Sequence, residues 1–360
     1  MGNFFCLRQF ILVLCIIMTG CVGTIPSEKF LNLKEKSFIE DIPAIELTLS
    51  DAVHSKENLD ESLISDSLLI CLSTGNSEMY DIFKLSTGEK LGSFCHIGRA
   101  REEVLSGLPI RSFFQNENGD LCADVFSMTD GKLLQWNVSA SILSGHDVYD
   151  RICILNEGQF LPLSSVLRLD DNRIIALDVG VGYPTMQPER VPDYYEYEMS
   201  NGSKKRSFDL FKKVEIKHEN DLFPSMVYYN CVDCLSPDKS RIVVAMNFMP
   251  VISVVDVASG VAKGYKLKGV KDFSVEEPVS YFADVQADEK YIYALYSGQK
   301  IDFETGLKQP DYLFVLDWDG KMVAKYHLNV PFARMHLDGE TLYFTHWNGL
   351  LASIPVSDLV

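Results

Sequence analysis

From Ala44 onward the apolar residues fall in short runs with a period of two, and the three-and-four spacing of amphipathic helices is nearly absent. "LLICLS", "DLCADVF", "RIIALD", "RIVVAMN", "YIYALY" and "TLYFT" are such runs, each bounded by a polar turn. The turns read "STGEK", "MTDGK", "MSNGS", "LSPDKS", "VASG", "WDGK", "DGE" and "WNG". Gly, Asn and Asp accept the left-handed backbone of two-residue hairpin loops, so this alternation predicts antiparallel hairpins. Only "REEVLSGL" offers a single helical turn.

The hairpins recur. A turn carrying Asp or Glu followed by an apolar strand appears near Asp66, Asp120, Asp171, Asp238, Asp288 and Asp338, at intervals of about 54, 51, 67, 50 and 50 residues. A second hairpin follows most of these units, as in "YDIFKLSTGEKLGSF", "ISVVDVASGVAKGYKL" and "YLFVLDWDGKMVAKYHL". Four strands per period of this length are the mark of propeller blades. The fold expected is all-β, a six-bladed β-propeller with four-stranded antiparallel blades over residues 42–360. The last repeat is short, so "AIELTLS" (44–50) is expected to supply the strand that closes the ring, with Ile45–Leu49 pairing with the C-terminal blade. An open blade edge would otherwise invite aggregation.

The N-terminus follows a different pattern. One charge, Arg8, precedes an apolar run from Phe10 to Met18, too short to span a bilayer and of the length of a signal-peptide core. Met18-Thr19-Gly20-Cys21 follows it and resembles the lipobox of bacterial lipoproteins. That resemblance implies removal of residues 1–20 and lipidation of Cys21. Residues 21–41, mixed and polar, then read as a tether. Several acyl chains make a durable membrane anchor.

Composition narrows the partners. Lys and Arg number 33 against 50 Asp and Glu, a net charge of −17, which disfavours nucleic acid and anionic head groups. Hydrophobic residues at 47% are enough for a large core. Six cysteines follow Cys21: Cys71, Cys95, Cys122, Cys153, Cys231 and Cys234. An exported chain meets oxidising conditions, so disulfides are open to them, yet several sit in apolar runs where cysteine packs as a small core residue. Cys231 and Cys234 have CxxC spacing, but three residues apart on a strand they face opposite ways.

The lipobox, the Asp-led strands, Gly98-Arg99-Ala100-Arg101-Glu102-Glu103-Val104 after the first blade, and "EKYIYALYSG…YLFVLDWDGKMVAKYHL" together resemble the TolB-like six-bladed propeller lipoproteins of Gram-negative bacteria. The first-blade loop keeps Gly, Arg and Glu of the family's G-R-G-P-G-E pattern and loses its Gly-Pro centre. The resemblance implies a fold and an envelope location, with outer-membrane attachment, and brings no catalytic residues.

Candidate chemistry is sparse. Arg99 and Glu102 lie in a loop where a guanidinium suits a carboxylate or sugar hydroxyl, or an ion pair between blades. In "DYYEYEM" (193–199), Tyr194, Tyr195 and Tyr197 offer an aromatic surface for a sugar or partner chain, with Tyr195 and Tyr197 on one face of a strand. His336 and His346 flank the "DGE" turn, but no third ligand is spaced for a metal. No catalytic serine elbow, zinc-protease helix, phosphate loop or dinucleotide fingerprint occurs, and no metal or cofactor is implied. The expectation is a lipid-anchored envelope module that binds a protein or glycan. A carbohydrate-active hydrolase or lyase using carboxylates at the channel mouth is the alternative.

Overall fold

The computed structural model describes residues 24–54, 62–73, 77–105, 107, 110, 113–181, 190–216, 225–301, 309–346 and 348–360. The expected signal peptide (1–20), Cys21 and Trp347 lie outside them. Six antiparallel sheets follow one another around a ring, as the repeat predicts. The first comprises Leu63–Ser65, Leu68–Leu72, Glu78–Lys84 and Lys90–His96, and the second Phe113–Gln115, Leu121–Ser127, Lys132–Asn137 and Tyr149–Ile154. The third holds Leu163–Arg168, Arg173–Asp178, Asp193–Glu198 and Ser203–Ser207, and the fourth Cys231–Leu235, Arg241–Met246, Val251–Asp256 and Ala262–Leu267. The fifth holds Val279–Ala287, Tyr291–Lys300, Tyr312–Asp317 and Met322–Leu328, and the sixth Arg334–Asp338, Thr341–Thr345 and Leu350–Pro355. Each blade's first strand is innermost, and the strands alternate in direction outward.

One apolar core fills the gap between each pair of neighbouring blades. Trp136, Tyr80 and Phe94 pack between the first two, and Tyr197 with Phe126 and Ile174 between the second and third. Tyr194 with Ile175 and Val244 follows, then Phe282 with Val243 and Phe314, then Phe344 with Leu313 and Met335. Ile64, Leu69 and Leu351 complete the circle. The second strands of these blades, such as Arg241–Met246, run as near-continuous apolar sequence because both faces of each sheet are covered.

The N-terminal strands depart from expectation. Ring closure is made by Ser50–His54, which pairs antiparallel with Leu350–Pro355, and not by Ile45–Leu49. Ile45–Leu47 instead adds a parallel fifth strand to the fifth blade, beside Tyr326–Leu328. The tether expected over 21–41 is folded from Ile25 on. Leu33–Ile39 adds a parallel fifth strand to the fourth blade, and Phe30 and Leu31 are fully buried. The charges of "LKEKS" conceal this in the sequence. They belong to an edge strand whose exposed residues Lys34, Glu35 and Lys36 blunt it against further pairing.

Local turn chemistry explains two further details. Gly320 adopts φ 79° in "DWDGK", and a Cβ there would run into the Tyr265 ring, whose hydroxyl donates to Trp318 O at 3.0 Å. "REEVLSGL" forms no helix among its described residues. The α-helix among the described residues is Val138–Ser144, capped by Asn137 Oδ1 accepting from Ala140 N at 2.8 Å and ended by left-handed Gly145.

Candidate functional site at the central channel

The inner strands wall a channel with two cavities. The first, about 370 Å³, is lined by the ends of the inner strands and includes Arg168, Asp233, Asp284, Arg334 and His336. The second, about 590 Å³, is lined by their beginnings and by Asn230, Asn247 and Gln309. Arg334 borders both. The alternating strand order puts the tight Asp turns on the first side, here the turn side. Connections between second and third strands, and those between blades, emerge on the other, the linker side.

The charged groups of the channel join neighbouring blades. Asp233 of the fourth blade accepts from Ser165 Oγ at 2.7 Å and from Tyr194 OH at 2.6 Å, both on the third. Asp284 of the fifth accepts from Met335 N of the sixth at 2.9 Å, while Arg334 returns a bond to Ala283 O at 3.0 Å. Arg168 of the third reaches Asp124 of the second at 3.1 Å, stacks over Phe114 at 3.6 Å and also meets Asp171. Away from the channel, at the outer edges of the first two blades, Asp147 accepts from Cys95 N at 2.8 Å and His96 N at 2.9 Å. Burial pushes the Asp124 carboxyl up to about 6, against the opposing pull of Arg168. The two short bonds that Asp233 accepts fix its position between the third and fourth blades.

The residues singled out in the sequence lie elsewhere. Arg99 and Glu102 are exposed on the loop from the first to the second blade, and neither forms an ion pair among the described residues. That loop is held by buried Lys132, whose ammonium donates to Ala100 O at 2.8 Å and Glu103 O at 2.6 Å. Its local cap is Glu103, accepting from Ala100 N at 2.7 Å. Glu102 has no such role.

Asp193–Glu198 is hydrogen-bonded on both sides, so the tyrosines do not form an open surface. Tyr194 is fully buried as the Asp233 donor, and Tyr197 is 2% exposed. Tyr195 is half-buried, with the Lys204 ammonium 3.4 Å above its ring. As the alternation predicts, Tyr195 and Tyr197 share a face. Tyr197 borders a recess between the second and third blades, about 590 Å³, with Arg190 paired to Asp178 and with Lys204. The buried Tyr197 hydroxyl has no hydrogen-bond partner among the described residues.

His336 stands opposite Tyr343 in its ladder and meets the edge of Phe113, while His346 accepts from Asn348 N at 3.1 Å, so the two histidines do not converge. No group of three or more metal-ligating side chains occurs among the described residues. None of the six cysteines forms a disulfide with another. Burial raises Cys95, Cys153 and Cys122, the last to about 12, which keeps them protonated. Cys231 and Cys234 border opposite cavities of the channel, on opposite faces of their strand.

Arg168, Asp233, Asp284 and Arg334 were not singled out in the sequence. Their signal is there: each is an ionisable residue inside an apolar strand, three to five positions ahead of an Asp turn. The partner of each comes from a different blade, so the strand alone does not disclose its role.

No family model matches the chain, and no curated protein matches it by sequence. Among solved structures, a member of the DUF4221 family from Bacteroides vulgatus superimposes with a TM-score of 0.56 at 13% identity, covering 91% of this chain and 98% of that one. A calcium-binding protein, regucalcin, from Agrobacterium tumefaciens superimposes with a TM-score of 0.51 at 11% identity, covering 87% and 95%. At such identities the likeness is one of fold alone, and the fold common to them is the propeller described above.

Proposed function

We propose that this protein is a lipid-anchored module of the cell envelope that binds a glycan or a protein partner at the turn side of its channel. The observation that carries this reading is the set of blade-to-blade bonds made by Asp233, Asp284, Arg334 and Arg168. They hold a polar, mixed-charge cavity in one geometry, and a preorganised cavity loses little on binding. The lipobox-like "MTGC" and the resemblance to TolB-like lipoproteins support the location, on the outer membrane in that family's manner.

A glycan-binding screen with the wild type and with His336→Ala, which alters the cavity border, tests the binding site. Ligand retention that falls in the variant supports the reading. Retention unchanged by the variant, or no retention in the screen or in a pull-down from intact envelopes, overturns it. The anchor is tested separately: Cys21→Ala is expected to move the protein from the membrane to the soluble fraction, and membrane retention would place the anchor elsewhere.

The second reading, a carbohydrate-active hydrolase or lyase, is favoured by one feature: Asp233 and Asp284 border the same cavity. Glycan cleavage by the wild type that is abolished in Asp233→Asn and Asp284→Asn variants would establish it over simple binding.

A further inference from the structure

We propose that the propeller is seated directly on the bilayer, its linker side toward the lipid and its turn-side cavity facing away. This rests on Cys21 being the site of acylation. Cys21 precedes Ile25 by four residues, and four extended residues reach at most about 14 Å.

Ile25 already belongs to the fold, its N–H donating to Phe273 O at 2.8 Å. The chain is then pinned across the base of the fourth blade. Ser27 N donates to Asp272 at 2.8 Å, Lys212 N to Phe30 O at 2.8 Å, and Asn32 N to Leu210 O at 2.7 Å. Phe30 is buried among Tyr228, Phe248 and Phe273. These partners lie in the connections 208–230, 247–250 and 268–278, all of which emerge on the linker side. A chain entering the fold there on so short a leash holds that side near the membrane.

Exposed charges of both signs occur on both sides of the ring: Lys29, Lys212 and Lys213 stand with Asp209, Glu215 and Glu276 on the linker side, and Lys290 with Asp66, Asp171, Asp238 and Asp319 on the turn side. The seating therefore rests on the short leash and its point of entry.

The test uses the full lipidated protein in vesicles of phosphatidylethanolamine and phosphatidylglycerol bearing a headgroup acceptor dye. A fluorescent amino acid replaces exposed Glu215 on the linker side or exposed Lys290 on the turn side. Energy transfer is expected to be several-fold stronger from position 215. A flexible spacer of about 20 Gly and Ser residues inserted before Ile25 is expected to abolish that difference. With Cys21 shown by mass to be acylated, equal transfer from both positions, stronger transfer from 290, or a difference that survives the spacer overturns the seating alone. An unmodified Cys21 on a protein that stays in the supernatant overturns the anchor and the seating together.

Discussion

The two sides of the ring are built on different terms. On the turn side the chain reverses in two to five residues wherever an inner strand meets the second, and the turn supplies its own bonds. Asp238 takes bonds from Ser236 Oγ at 2.6 Å and Ser240 Oγ at 2.8 Å, and Asp66 and Ser67 take the left-handed backbone without glycine. On the linker side some connections are much longer, such as 208–230 and 268–278, and what fixes such loops comes from far along the chain: Phe30 from the N-terminus, Lys132 from the next blade. Local turns make the repeat, and distant contacts close and orient it. The channel groups lie between these regimes, placed by the repeat and satisfied by the neighbouring blade.

That contrast can be broken at its strongest points first. Phe30→Ala should cost about 3–5 kcal/mol, as for a fully buried aromatic in a packed core. A denaturation midpoint unchanged by it would restore 21–41 as a tether. Arg168→Ala should cost a similar amount, about 3–5 kcal/mol, by leaving Asp124 buried without its partner. The same pair gives a pH signature. Because the folded carboxyl holds its proton up to about 6, the native state binds more protons than the unfolded chain from about pH 4 to 6. Its contribution to stability therefore falls as pH rises through that window, and Asp124→Asn should remove the slope.

The third-blade tyrosines sharpen the point at smaller scale. Tyr194→Phe strips a donor from buried Asp233 and should cost about 1.5–3 kcal/mol, while Tyr197→Phe removes an unpartnered hydroxyl and should be neutral or slightly stabilising. Equal losses from the two would refute the assignment of separate roles. Smallest is the turn itself. Hydrogen bonds from Ser236 and Ser240 hold Asp238 down to about 2, so its contribution is complete above about pH 4 and is lost as pH falls toward 2. At that exposed site the loss in Asp238→Ala should stay under about 1 kcal/mol at about pH 5 and shrink toward about pH 2, measured as the difference between variant and wild type at each pH.

Much of the fold was legible because its signals are local. Period-two runs, Gly and Asp turns and a repeat near 50 residues each depend on neighbours within one blade, and they specify six antiparallel sheets. The CxxC pair could be separated onto two faces by the pleat alone. Ring closure was legible in kind, as a strand from the N-terminus, but not in register. Ile45–Leu47 and Ser50–His54 lie side by side in the chain, and only the curvature of the ring delivers one to the fifth blade and the other to the sixth.

The candidate site was much less legible. Arg99 and Glu102 stood out because loops with Arg and Glu are chemically conspicuous, yet Glu103 and Lys132 hold that loop. The tyrosine run was visible, but whether it is an edge or an interior strand depends on Ser203–Ser207 pairing outside it. Sequence by itself determined the repeat, the turns, the acidic surface and the lipobox-like start, since each is a property of a few adjacent residues. Tertiary structure alone decided which strand closes the ring, that Phe30 belongs to the core, and that Asp233, Asp284, Arg168 and Arg334 meet partners across blade boundaries. Those contacts join residues tens to hundreds of positions apart, and their energy exists only once burial has removed the water that would otherwise satisfy them.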